Sequence, residues 1–74
     1  MKNNYDYSKL RGLIVEKYRT LTNLAKKIGR SPAWLSAKLL NDGDFNQTDM
    51  DTIMDLLDID RKNIDIYFFT HKVQ

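Results

Sequence analysis

The chain has 74 residues, 42% hydrophobic and 30% charged, with a net charge of +2 and no cysteine. That is enough for one domain around one small core, with little room for an enzyme cleft and no material for disulfides or thiolate metal sites. Charge is unevenly spread: residues 1–41 carry nine Lys or Arg against Asp6 and Glu16, giving +7, whereas residues 42–74 carry three against eight aspartates, giving −5. A polyanion would be drawn to the first half and repelled by the second. The polar opening MKNNYDY has no apolar signal core, and apolar runs such as Ile66 to Phe69 are far too short to span a bilayer. The expectation is a soluble cytoplasmic protein without membrane contact.

A first helix is expected to begin after Asp6 or Ser8, either of which can cap it, and to run to about Tyr18 with Leu10, Leu13, Ile14 and Tyr18 on one face. Gly12 lies inside it at a cost of about 1 kcal/mol relative to Ala, marking either a close approach by a neighbour or a tolerated weakness. Lys9, Lys17 and Arg19 fall off the apolar stripe. Thr20 reads as the cap of a second helix, in which Leu21, Leu24, Ala25 and Ile28 keep the i, i+3, i+4, i+7 spacing and which stops at Gly29. Ser31 as N-cap and Pro32 at the first position restart a third helix, with Leu35 and Leu39 as its buried stripe.

Asn41, Asp42 and Gly43 form a turn signal. Asp42, Asp44 and Asn46 imitate the first half of a calcium loop, but Gln47 stands where the loop needs Gly and Ile53 where it needs Glu, so no calcium site is expected. Asn46 instead caps a fourth helix, about Gln47 to Leu57, with Met50, Ile53, Met54 and Leu57 as core and Phe45 as a plug ahead of it. Asp49, Asp51, Asp55 and Asp58 make its opposite face acidic. Asp60 can cap a short fifth helix through about Ile66. In the β-prone tail, Tyr67 to Val73, either Phe68 and Phe69 fold back onto the core or part of the segment pairs with a second copy. The one histidine, His71, has no cysteine neighbour and no second titratable group to share a pocket, so neither metal, cofactor nor enzymatic activity is expected.

The stretch Leu21 to Leu40, with Ala25, Gly29 four residues on and Leu35 six further, resembles the helix-turn-helix of the phage repressor and Cro-type regulators. A small side chain at Ala25 lets the helices cross closely, Gly29 makes the turn and Leu35 docks the second helix. SKLRGLIVEKY before it, NDGDF after it and IDIYFFTHKVQ at the end are similar in layout to short Cro-like proteins, so the resemblance covers nearly the whole chain. It implies an all-α, compact five-helix bundle of the lambda-repressor-like helix-turn-helix type, residues 1–74 as one domain, the motif at about 20–40 and an extended tail at 67–74.

It also implies a sequence-specific transcriptional regulator of a phage or prophage switch, placing its third helix in the major groove of a double-stranded operator. By position the groove face is Ser31, Pro32, Ala33, Ser36 and Ala37, with Leu40 at its margin. The DNA backbone falls to Arg19, Thr22, Lys26, Lys27, Arg30, Trp34, Lys38 and Asn41. Relatives dimerise through C-terminal elements, so a homodimer on half-sites about 34 Å apart is expected. About five phosphate contacts per monomer would give a salt slope near −4 to −5.

The chain departs from the family pattern in three places. Leu21 stands where a Gln often contacts DNA, Arg30 replaces an aliphatic turn residue, and the groove face has no Gln, Asn or Arg for bidentate readout. Ala33 and Ala37 would have to act through thymine methyls, and Ser31 and Ser36 through permissive hydroxyl bonds. Arg30 is expected to reach the DNA backbone, the other course being a pair with an acidic side chain. Trp34 either packs in the core or lends its N–H to a phosphate. The rival reading is a protein-interaction module on a helix-turn-helix fold, modulating another regulator without base readout of its own. The alanine-rich groove face and the acidic fourth helix motivate it.

Overall fold

Most of the helix starts are held by a side chain that takes up a backbone N–H the helix cannot satisfy itself. The computed structural model describes residues 4–72. Ahead of α1 (Ser8–Tyr18), Asp6 accepts from the Ser8 hydroxyl and the Ser8 N–H, in that order of effect, and its carboxyl is held below the usual carboxylate range. Thr20 Oγ1 accepts from the Asn23 N–H at 3.2 Å and opens α2 (Leu21–Ile28). Ser31 Oγ accepts from the Trp34 N–H at 3.1 Å and opens α3 (Pro32–Leu39). Asn46 Oδ1 accepts from the Asp49 N–H at 2.7 Å and opens α4 (Gln47–Leu57). Asp60 Oδ1 accepts from the Lys62 N–H at 3.1 Å, starting a single 3₁₀ turn, Arg61–Asn63, that runs on into α5 (Ile64–Phe68). Every named element among the described residues is a helix.

Between α2 and α3 the chain turns at Gly29, whose φ of +84° lets both the Gly29 and Arg30 N–H groups donate to the Ala25 carbonyl at 3.0 Å. α1 packs on α2, α4 and α5, and α2 on α3 and α4. Leu10, Ile14, Leu24, Ala25, Leu35, Leu39, Met50, Ile53, Met54 and Leu57 fill the centre together with Tyr7, Phe45 and Phe68. The methionine stripe is therefore core. A Cβ built on Gly12 meets nothing within 4 Å, so that glycine makes no close approach and is the tolerated weakness.

Two expectations need correction. α5 extends beyond Ile66 to Phe68, because the Phe68 ring is only 1% exposed and helical backbone delivers it to the core. The acidic face of α4 is also less acidic than its spacing suggests. Asp49 is turned inward at 6% exposure, Asp51 and Asp55 are both held by Arg61, and Asp58 ends the helix at φ +56° beside Lys17.

The tail pairs with its own chain. Asp6 N–H donates to the Thr70 carbonyl at 2.6 Å and Lys72 N–H to the Asn4 carbonyl at 2.9 Å, an antiparallel bridge that sets Tyr5 opposite His71. The other edge of Tyr5 meets a side chain that imitates a strand. Tyr5 N–H donates to Asn41 Oδ1 at 2.8 Å, and Asn41 Nδ2 donates back to the Tyr5 carbonyl at 2.9 Å. Asn41 has φ +65°, a conformation that Asn tolerates better than most residues. The start of the chain, the end of α3 and the tail are thus tied at one point. Val73 and Gln74 of the expected tail, and Met1 to Asn3 of the polar opening, lie outside the described residues.

Candidate interaction surface

Two surfaces flank the helix-turn-helix, and they differ in chemistry. The first is basic. Arg19 has φ +71° where the chain leaves α1, and its side chain opens an open cleft of about 560 Å³ with Lys17, Tyr18, Asn23, Lys26 and Lys27. Lys17 reaches Asp58 at 3.6 Å, while Arg19, Lys26 and Lys27 have no acidic partner among the described residues. Thr22 is exposed on the same helix. The structure therefore gathers four of the expected backbone-contacting residues, Arg19, Thr22, Lys26 and Lys27, on and beside α2.

The second surface is the exposed side of α3. Ser31, Pro32 and Ala33 are exposed, and Ser36, Ala37 and Lys38 are half-buried. Leu40, just past the helix, is 70% exposed, the most open large apolar side chain among the described residues. The hydroxyl of Ser31 already accepts the Trp34 N–H as a cap. What remains is a face of small and apolar groups with one hydroxyl at Ser36 and one cation at Lys38. Such a face is poor in directional donors for base edges and is suited to close contact with another apolar surface.

Besides Ser31, the expected DNA-contacting residues Arg30, Trp34, Lys38 and Asn41 have partners inside the chain. Arg30 takes the second of the two courses open to it. Its guanidinium lies 3.3 Å from Asp49 Oδ1 and 4.9 Å from the centre of the Trp34 ring, with 46% of the side chain still exposed. Asp49 is the buried carboxylate among the described residues, and Arg30 neutralises it. Trp34 is half-buried, packs edge-on against Phe45 at 5.9 Å and has Lys38 Nζ 5.9 Å from its ring. Core packing thus accounts for most of the indole. Both polar atoms of the Asn41 side chain are used on Tyr5.

Sequence reasoning placed Phe45 and Met50 in the core and left open whether Phe68 and Phe69 fold back onto it, but it missed that these gather with Tyr5, Tyr7 and Asp44 beyond Asn41. Tyr5, Tyr7, Asp44, Phe45, Met50, Phe68 and Phe69 line a crevice of about 160 Å³. Burial, and after it the charge of Asp44, push the Tyr7 hydroxyl up to about 12. The available signal was the crowding of aromatic residues at the two ends of the chain, two tyrosines within Tyr5–Tyr7 and two phenylalanines at Phe68 and Phe69. Among the described residues no group of His, Cys, Asp or Glu is arranged to hold a metal, and no helix is long and apolar enough to cross a membrane.

Residues 3–71 match the family described as "Protein of unknown function (DUF739)". The fold is similar to the solution structure of the modulator of repression (MOR) of the temperate bacteriophage TP901-1 from Lactococcus lactis. The two share 34% identity over 96% of each chain, with a TM-score of 0.80. A comparison with curated proteins gives no match.

Proposed function

This chain belongs to the DUF739 family, and from its likeness to a phage modulator of repression we propose that it is a phage regulator that acts by binding another regulator. The observation that carries this is the likeness to a protein titled a modulator of repression, at 34% identity over 96% of both chains. A modulator must change what a repressor does, and the most direct route is contact with the repressor.

The α3 surface supports the same reading. The helix that reads bases in a repressor here presents Ala33, Ala37 and the exposed Leu40, with no bidentate donor, while Arg30 and Asn41 are engaged inside the chain. Small apolar residues beside a large exposed leucine suit the centre of a protein contact, and Lys38 suits its polar rim. The chain then works as a binding partner without catalysis.

Titration calorimetry against the repressor of the same switch tests this. The expected result is a one-to-one complex that Leu40→Asp weakens at least tenfold, as losing a buried leucine anchor and burying a charge both cost more than about 1.4 kcal/mol. No heat and no co-elution with the repressor would overturn it.

A second reading has an observation of its own. Arg19, Lys26 and Lys27, in one cleft and without an acidic partner among the described residues, would attract a phosphate backbone. That supports salt-sensitive DNA affinity, by the chain or by its complex with a repressor, and supplies no sequence readout.

A further inference from the structure

The rings that close the crevice meet edge to face. Tyr7 and Phe45 lie 5.6 Å apart at 89°, Phe45 and Phe68 5.4 Å apart at 86°, and Tyr5 and Phe69 5.8 Å apart at 81°. Rings set at right angles turn electron-rich faces and edges into a common space from different directions. Its volume, about 160 Å³, matches the cavity of about 150 Å³ known to hold a benzene-sized guest. At the rim stands Asp44, the one charged group lining it among the described residues, exposed and with its field felt at the Tyr7 hydroxyl. No cation of the described chain lines this space.

The other flank of the same aromatic cluster already binds cations. Trp34 packs on Phe45, with the Arg30 guanidinium 4.9 Å and the Lys38 ammonium 5.9 Å from its ring. The crevice offers the same chemistry, ring faces plus a carboxylate.

We propose that the crevice bounded by Tyr5, Tyr7, Asp44, Phe45 and Phe69 is a docking pocket for one arginine side chain of a partner protein, the guanidinium stacked on the rings and paired with Asp44. Arginine fits better than lysine because its planar, weakly hydrated head stacks on aromatic faces and still donates to a carboxylate. The proposal rests on the reading that the chain binds another regulator. A DNA-binding regulator presents arginine on the surface it uses for DNA, so this pocket would compete directly with the phosphate backbone. The pocket is tied to the end of α3, since Leu40 is followed by Asn41, whose side chain holds the Tyr5 backbone on both sides.

The test uses the full chain and small probes, so it does not need the partner. In an NMR titration, N-acetyl-arginine amide is expected to shift the ring protons of Tyr5, Tyr7, Phe45 and Phe69 saturably. N-acetyl-citrulline amide, of the same stem and no charge, should bind at least tenfold more weakly. Asp44→Asn should weaken the arginine probe by about tenfold, the loss of one charge-assisted bond. Asp44 is exposed, so this variant is expected to keep the wild-type amide spectrum. Equal binding of the two probes, or equal binding of arginine by wild type and Asp44→Asn, would overturn the proposal, as would the absence of any saturable shift. Against the repressor, a failed pocket shows as wild type and Asp44→Asn binding equally; a failed function shows as neither binding.

Discussion

At the scale of single residues, three positions carry separable physics. Gly12 sits in mid-helix with open space where its Cβ would be, so Gly12→Ala is expected to stabilise the fold by about 1 kcal/mol, read as a higher urea midpoint at unchanged slope. Asn41 does two things at once, adopting φ +65° and making two hydrogen bonds to Tyr5. Asn41→Gly keeps the backbone freedom and loses the bonds; Asn41→Ala loses both. Thermal unfolding should rank wild type above Gly and Gly above Ala, with about 1 kcal/mol between the two variants. Arg30 shields the buried Asp49 carboxylate, so Arg30→Leu should cost about 1–3 kcal/mol, and adding Asp49→Asn should recover part of that loss. If Arg30→Leu were neutral and Asp49→Asn destabilising by itself, the pair would not be what holds this corner.

At the scale of elements, what could be read in advance was local. Thr20, Ser31, Asn46 and Asp60 each bond an N–H two or three residues ahead, so the residue type and its offset from the next apolar run were enough to place four helix starts. The core stripes of α2, α3 and α4 followed from periodicity for the same reason. The partners of Asn41 and Arg30 could not be read this way. Asn41 and Tyr5 are 36 positions apart and Arg30 and Asp49 are 19 apart, so only the closed fold brings them together. The aromatic crevice is illegible for the same reason, since its walls come from both ends of the chain and from the turn after α3. The extended tail misled because Tyr67 and Phe68 have high β propensity, which burial of the Phe68 ring overrode. The tail and the N-terminal segment form one unit through the Asp6–Thr70 and Lys72–Asn4 bonds. Removing residues 70–74 should speed hydrogen exchange at the Asp6 amide strongly while leaving the amides of α4 near their original protection. Equal exchange at Asp6 in both chains would show that the bridge contributes no order.

At the scale of the whole molecule, the basic cleft beside α2 and the aromatic, acid-rimmed crevice beyond α3 give the chain two unlike surfaces, on a sequence whose halves carry +7 and −5. Under the proposed function, the crevice would take a repressor arginine in place of DNA phosphate, while the cations of the cleft would face nearby backbone. The chain's effect on an operator would then run through the second protein. The most direct test is an anisotropy titration on labelled operator DNA at physiological salt, with the chain alone, the repressor alone and the two together. The chain alone is expected to leave the operator unbound or to bind it without sequence preference. Adding the chain is expected to shift the repressor's operator affinity at least tenfold, and Leu40→Asp to abolish that shift. Saturable, sequence-selective binding of the operator by the chain alone, with the repressor's affinity unchanged in the mixture, would contradict the proposed function.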